Sequence, residues 1–226
     1  MATSKTSRKK SDTSEGTNKA LLLKEKYKEY ILTEGKIPTS VFLFMKGLGL
    51  SEQEFYEHYG SFDGIESTIW NEYMEETITA VTGEKIYQQY SSRERLLAFY
   101  YTLIERLKKD RSYVKYTVET KMKKPDLMPG FLRKFRDRFT SYVEALIQEG
   151  VDQGEIIKRP IISKGYRDGL WLQLIFVIGF WLKDNSAGFE QTDAAIEKSV
   201  NLAFEFMGEG PLEKMIDFAK FLYQNR

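Results

Sequence analysis

The apolar positions of this chain recur at intervals of three and four along most of its length, and the strict alternation of a half-buried strand appears nowhere. The first such pattern runs from about Asn18 to Glu34, where Leu23, Tyr27, Tyr30 and Ile31 share one helical face. Gly35 supplies a stop and Pro38 blocks continuation. A short apolar helix is predicted over Ser40 to Lys46, followed by a tight turn at Gly47-Leu48-Gly49-Leu50. Ser51 opens the next helix with Glu54 three residues later, a capping box in which hydroxyl and carboxylate each satisfy an orphan backbone donor. That helix ends near Tyr59-Gly60. Ser61 then caps a longer one, with Ile65, Ile69 and Tyr73 along one face.

Past Gly83 the same period continues. Ser91 and Glu94 form a second capping box ahead of Leu96 to Leu107. A shorter helix over Ser112 to Met122 stops at Pro125, and another starts after Pro129-Gly130 with Phe131, Phe135, Phe139, Tyr142, Val143 and Leu146 inward. Pro160 opens a long apolar helix that ends near Asp184. Thr192 or Asp193 caps a helix to Met207, and Pro211 starts the last one. The pattern predicts an all-α protein of about ten helices. It divides into a tail over 1–17, a three-helix head over 18–82 and a helical bundle over 83–226.

Composition narrows the chemistry. The chain has no cysteine and one histidine, His58, which removes thiolate nucleophiles, zinc-thiolate sites and multi-imidazole metal centres. Paired carboxylates, phosphate loops and nucleophile motifs are not found, so neither an enzyme nor a cofactor or metal site is expected. The formal charge is +1, so any polyanion partner must be held by local charge. The N-terminal Met1 to Asn18 has no apolar run and centres on Arg8-Lys9-Lys10. It reads as a disordered basic arm rather than a signal or anchor. The longest apolar stretch, Gly169 to Leu182, is broken by Gln173 and falls short of the ~20 residues that span a bilayer. A cytoplasmic protein with no integral membrane segment is expected. A second basic region, Arg106 to Arg138, reads as the solvated face of two helices, or else as a contact for an acidic partner or membrane surface.

Two short helices about a glycine turn, over Ser40 to Tyr59, make a helix-turn-helix, a unit that lays its second helix in the major groove. Its residues go further. Pro38-Thr39-Ser40-Val41, Gly49-Leu50-Ser51, Phe55-Tyr56-Glu57-His58-Tyr59, then Ser61 and Ile65 resemble, in order, the DNA-binding head of the tetracycline-repressor-like (TetR) family. The resemblance implies that Thr39 and Ser40 contact phosphate. It places Ser51, Glu52, Gln53 and Tyr56 at the groove, His58 near a phosphate, and Phe55 and Tyr59 in the core. Hydroxyls at helix N-termini suit phosphate, and Gln53 can pair bidentately with adenine. The implied function is a dimeric, ligand-responsive regulator on a near-palindromic operator of double-stranded DNA.

One departure opens an alternative. The family's lysine after the serine is Phe62 here, and Gly47 to Glu84 holds no Lys or Arg and nine acidic residues. Such charge opposes binding to a phosphate backbone. The alternative is a lipid- or isoprenoid-binding protein that keeps the fold without DNA binding, similar at fold level to the lipid carriers of ubiquinone biosynthesis.

The resemblance also assigns the body. Its late helices pair with their copies as a homodimer interface, for which Trp171, Phe176, Phe180, Trp181, Leu202 and Phe206 are the candidates, with Phe204 beside them. A small apolar ligand is expected in a pocket built from Phe99, Tyr100, Leu103, Tyr116, Phe139, Tyr142 and Leu172.

Overall fold

A computed structural model describes residues 5–122, 129–159, 162–210, 218 and 220–225. Among these, nine α-helices and four 3-10 turns lie between Lys5 and Met207, and there is no strand. The helices are α1 (Lys5–Glu34), α2 (Val41–Gly47), α3 (Glu52–Tyr56), α4 (Phe62–Gly83), α5 (Ser92–Lys108), α6 (Arg111–Lys121), α7 (Arg133–Asp152), α8 (Tyr166–Lys183) and α9 (Glu190–Met207). The order and spacing follow the apolar periodicity. The expected stops at Pro125 and the starts at Pro160 and Pro211 lie outside the described residues, while residues 218 and 220–224 are helical.

The start of α1 differs from the expected disordered arm. Helix runs from Lys5, without interruption at Gly16. Once a helix is nucleated, each further residue adds a hydrogen bond, and the Ser/Thr/Lys-rich stretch holds no proline to stop propagation. A glycine within a helix costs only about 1 kcal/mol against alanine.

The chain divides into two compact units, Met1–Asn71 with Ser112–Arg133, and Glu72–Arg111 with Lys134–Arg226. The first therefore takes in most of α6, which the sequence reading had placed with the body. The reason is a buried polar knot. Glu66 of α4 is fully buried, accepts from the Tyr27 hydroxyl of α1 at 2.7 Å, and pairs with Lys121 at the end of α6. Lys121 also meets Asp63 at 3.0 Å. Around the knot, Leu23, Tyr27 and Ile31 of α1 bury with Phe44, Met45, Phe55, Ile65 and Ile69.

In the second unit, α5, α7, α8 and α9 bury one stripe each. Phe99 stacks on Tyr142 at 4.9 Å and tilts against Phe139 at 5.5 Å, and Phe139 meets Trp171 at 6.1 Å. The entry to α9 is made by an acid. Asp184 lies just past α8 and accepts from the backbone N–H and hydroxyl of both Ser186 and Thr192. Burial alone would raise that carboxyl, but the four donors outweigh it and hold it down at about 2. Thr192 is thus in the first turn of α9, served by Asp184, rather than its cap. Phe189, before α9, takes a left-handed φ of 66°, and its ring packs on Trp181 at 6.1 Å. At the other end, the buried Arg159 guanidinium donates to the carbonyls of Phe206, Met207 and Gly208. A cation over the last carbonyls of a helix is a favourable C-terminal cap.

Candidate nucleic-acid interface and body groove

The head forms a helix-turn-helix because each short helix carries its own start signal. The Ser40 hydroxyl accepts from Leu43 N–H at 3.2 Å and opens α2. Gly49 takes a φ of +70° in the turn, a conformation that glycine adopts at no steric cost. Ser51 and Glu54 complete the capping box of α3, with the Ser51 N–H donating to the Glu54 carboxylate at 2.9 Å. Lys19 of α1 reaches the same carboxylate at 2.6 Å. That hydrogen bond, with those from Ser51, holds the Glu54 carboxyl down at about 2. Phe55 and Tyr59 are buried, as the resemblance implied, and the Tyr59 hydroxyl donates to the Ala20 carbonyl at 2.9 Å.

The candidate DNA-contacting residues fall into two groups. Thr39, Ser51, Glu52, Gln53 and Tyr56 are exposed, and Ser40 is half-buried. Ser51 is committed to its capping box, and Tyr56 donates to Glu52 at 3.3 Å. His58 stands apart. Its Nε2 is buried and meets no acceptor among the described residues, and its ring lies against α1, within 3.8 Å of where a Cβ on Gly16 would sit. His58 as a whole is half-buried, with Nε2 on its covered side.

Phe62 explains the missing cation. Its ring stacks on Tyr27 at 5.4 Å and meets Phe44 and Phe55 edge-on at 5.6 and 5.5 Å. The position that carries a lysine in the resembled family here closes an aromatic cluster. No signal local to Phe62 marks this, because its three ring partners come from α1, α2 and α3.

In the second unit α8 and α9 enclose an open groove of about 910 Å³. Gly169, Phe176 and Phe180 of α8 face Ala195, Leu202 and Phe206 of α9 across it. Four of the six expected interface residues therefore line one surface: Phe176, Phe180, Leu202 and Phe206. Trp171 and Trp181 do not. Both are buried in the protomer's own core, Trp171 against Phe135 and Phe139, Trp181 against Phe189 with Arg111 over its ring. Phe204 is buried as well.

The expected ligand pocket is dispersed. Phe99, Tyr100, Leu103 and Phe139 are fully buried, with Phe99 and Phe139 ring against ring. Leu172 is 51% exposed and Tyr116 belongs to the other unit. Of the set, Tyr142 alone lines a described cleft, one of about 440 Å³ with Ile78, Asp137, Arg138 and Ser141. Its hydroxyl meets that of Tyr87 at 3.0 Å, and burial first, then Tyr87, push the phenol up so that it stays protonated.

Several cations of the basic run from Arg106 to Arg138 pair with acids. Arg106 meets Glu76, Lys108 meets Glu105, Lys121 meets Asp63 and Glu66, Arg136 meets Asp168 and Arg138 meets Glu75. Lys123 and Lys124 lie outside the described residues. Among the described residues no three His, Cys, Asp or Glu side chains gather to hold a metal ion, and no helix is long and apolar enough to cross a membrane.

Comparison with known proteins agrees with the all-α fold so described. No curated protein matches the chain. A TetR family transcription regulator from Marinobacter aquaeolei VT8 shares the fold, with a TM-score of 0.51 at 18% identity over 88% of this chain and 98% of that one. The family described as tetracyclin repressor-like, C-terminal domain, matches residues 95–222, more than half of the sequence. The chain belongs to the tetracycline-repressor-like (TetR) family.

Proposed function

We propose that the protein is a homodimeric transcriptional regulator that binds a near-palindromic operator through its head and responds to a small apolar ligand in its body. The observation that carries the DNA-binding part is the two-sided hairpin: Phe55 and Tyr59 hold α3 in the head core while Ser51, Glu52, Gln53 and Tyr56 stay exposed. A helix anchored on one side and free on the other is what groove entry requires. Homodimerisation is supported by the groove between α8 and α9, whose apolar walls cannot stay in water without cost. For the ligand, the cleft beside Tyr142 offers a protonated phenol next to stacked aromatic rings. A ligand that binds one head spacing better than another would shift DNA affinity by that difference.

The lipid-binding reading has its own support in the absence of Lys and Arg from Gly47 to Glu84 and in the engagement of Phe62 in the core. Retention of sheared genomic DNA by the full-length protein at low and moderate salt separates the two. A regulator enriches a few fragments, loses them steeply with salt, and loses them in Gln53→Ala/Tyr56→Ala. No enrichment at low salt, together with a co-purifying lipid found by mass spectrometry, favours the alternative.

A further inference from the structure

The apolar groove between α8 and α9 has a counterpart at the end of the same chain. Residues 218 and 220–224 are helical, and Phe218, Phe221, Leu222 and Tyr223 stand between 52 and 82% exposed. None of these four is among the residues that line the groove. Helical spacing groups the apolar positions of this segment. In the helix that the sequence predicts from Pro211, Leu212, Met215, Ile216, Ala219, Leu222 and Tyr223 fall on one stripe, with Phe218 at its edge. Glu213, Asp217, Lys220 and Gln224 fall on the opposite face. An amphipathic helix of this kind is what an apolar groove receives. The sizes agree as well. The part of α9 that lines the groove, residues 191–207, is about 25 Å long, and a helix of residues 211–226 is about 24 Å.

The exit from α9 is fixed. The Gly208 N–H donates to the Phe204 carbonyl at 2.7 Å, and the Ile157 N–H donates to that of Met207 at 2.8 Å. The buried Arg159 guanidinium holds the carbonyls of Phe206, Met207 and Gly208. A Cβ at Gly208 would lie 3.0 Å from the Phe204 carbonyl oxygen and 3.2 Å from that of Glu155, and one at Gly210 would lie 3.0 Å from that of Glu205. The chain therefore departs from Phe206 and Met207, at one end of the groove, along a route that leaves its own apolar end exposed. Exchange of such an element between two copies is a low-cost route to a dimer, because each copy already carries both halves of the contact.

We propose that residues 211–226 of a second copy seat in the α8–α9 groove, so that two exchanged C-terminal segments close the homodimer. This rests on the dimeric reading given above and names what fills the groove. Each seated segment covers Phe176, Phe180 and Phe206 with its own apolar stripe, and both surfaces leave water together.

The test uses the full-length chain. Tyr223→p-benzoylphenylalanine, allowed to exchange subunits with isotope-labelled wild type and then irradiated, should give a covalent dimer. Mass spectrometry should place the link between residue 223 of one copy and a groove residue of the labelled copy. In sedimentation, Phe218→Asp/Leu222→Asp should raise the dimer dissociation constant at least about 30-fold, whereas Gln224→Asp on the polar face should leave it unchanged. A dimeric wild type in which residue 223 links to its own protomer, links outside the groove or does not link overturns the exchange and leaves the dimer standing. So does a Phe218→Asp/Leu222→Asp variant that dimerises as wild type does. A monomeric wild type overturns both.

Discussion

Lys121→Met tests why α6 belongs with the head. In the wild type the fully buried Glu66 carboxylate is held by the Lys121 ammonium and by the Tyr27 hydroxyl at 2.7 Å. The burial of Lys121 would lower its pKa, yet hydrogen bonding and attraction from Glu66 and Asp63 raise it, so the cation persists. Methionine keeps the stem volume and removes the charge. Removing one partner of a buried pair costs about 3–5 kcal/mol, because the other charge is left in low dielectric. The lower end applies here, since Glu66 retains its bond from Tyr27. The link to Asp63, which is largely exposed, adds less than about 1 kcal/mol. The expected loss is about 3 kcal/mol, a fall in Tm of roughly 6–12 °C at this chain length. Adding Glu66→Gln removes the stranded charge but still accepts from Tyr27, so the double variant should regain about 2 kcal/mol. Urea and thermal unfolding by circular dichroism, run as a double-mutant cycle, measure both numbers. A Lys121→Met protein within about 0.5 kcal/mol of wild type, or a double variant less stable than either single one, would refute the reasoning.

Three further outcomes follow from other parts of the structure. The Glu54 carboxyl is held at about 2 against an unfolded value near 4.3–4.5, so its stabilisation is full above about pH 4.5 and is lost as pH falls toward 2; Glu54→Gln should flatten that part of the stability–pH profile in acid titration followed by circular dichroism. Phe176 is 51% exposed in the protomer, and burying that exposed half, about 1 kcal/mol, happens twice in a symmetric dimer; Phe176→Ala should weaken dimerisation by roughly 30-fold in sedimentation equilibrium. A Cβ on Gly150 would stand 2.7 and 2.9 Å from Ile156 Cδ1 and Cγ1 and 3.0 Å from Ser92 Oγ; overpacking of about 1–3 kcal/mol exceeds the helix-propensity gain of about 1 kcal/mol, so Gly150→Ala should lower Tm by calorimetry.

What the sequence made legible was local. Both capping boxes, the glycine turn at Gly49 and the order of the helices depend on residues within four positions of one another, and they are where the pattern put them. The family resemblance came from such short signals in order. What stayed hidden depended on partners far along the chain. α8 is apolar nearly all round, so periodicity could not say that Trp171 and Trp181 turn inward while Leu172 and Phe176 stay exposed. Nothing near Lys121 announces Glu66, 55 residues earlier, so the membership of α6 was assigned by position in the chain rather than by contact. Phe62 stands where the family has a lysine, and its stacking on Tyr27 of α1 is a contact that the motif does not announce. The cleft at Tyr142 draws on α4 and α7, and only one of its residues stood in the expected pocket.

The most direct measurement is the stoichiometry and footprint of the protein on its most strongly enriched genomic fragment, by sedimentation and by hydroxyl-radical cleavage at low salt. Two protomers per site, with two protected half-sites centred about one helical turn or a multiple of it apart, are predicted. A single protomer on the fragment, or an unprotected duplex at any salt concentration, would contradict a paired scaffold carrying two DNA-reading heads.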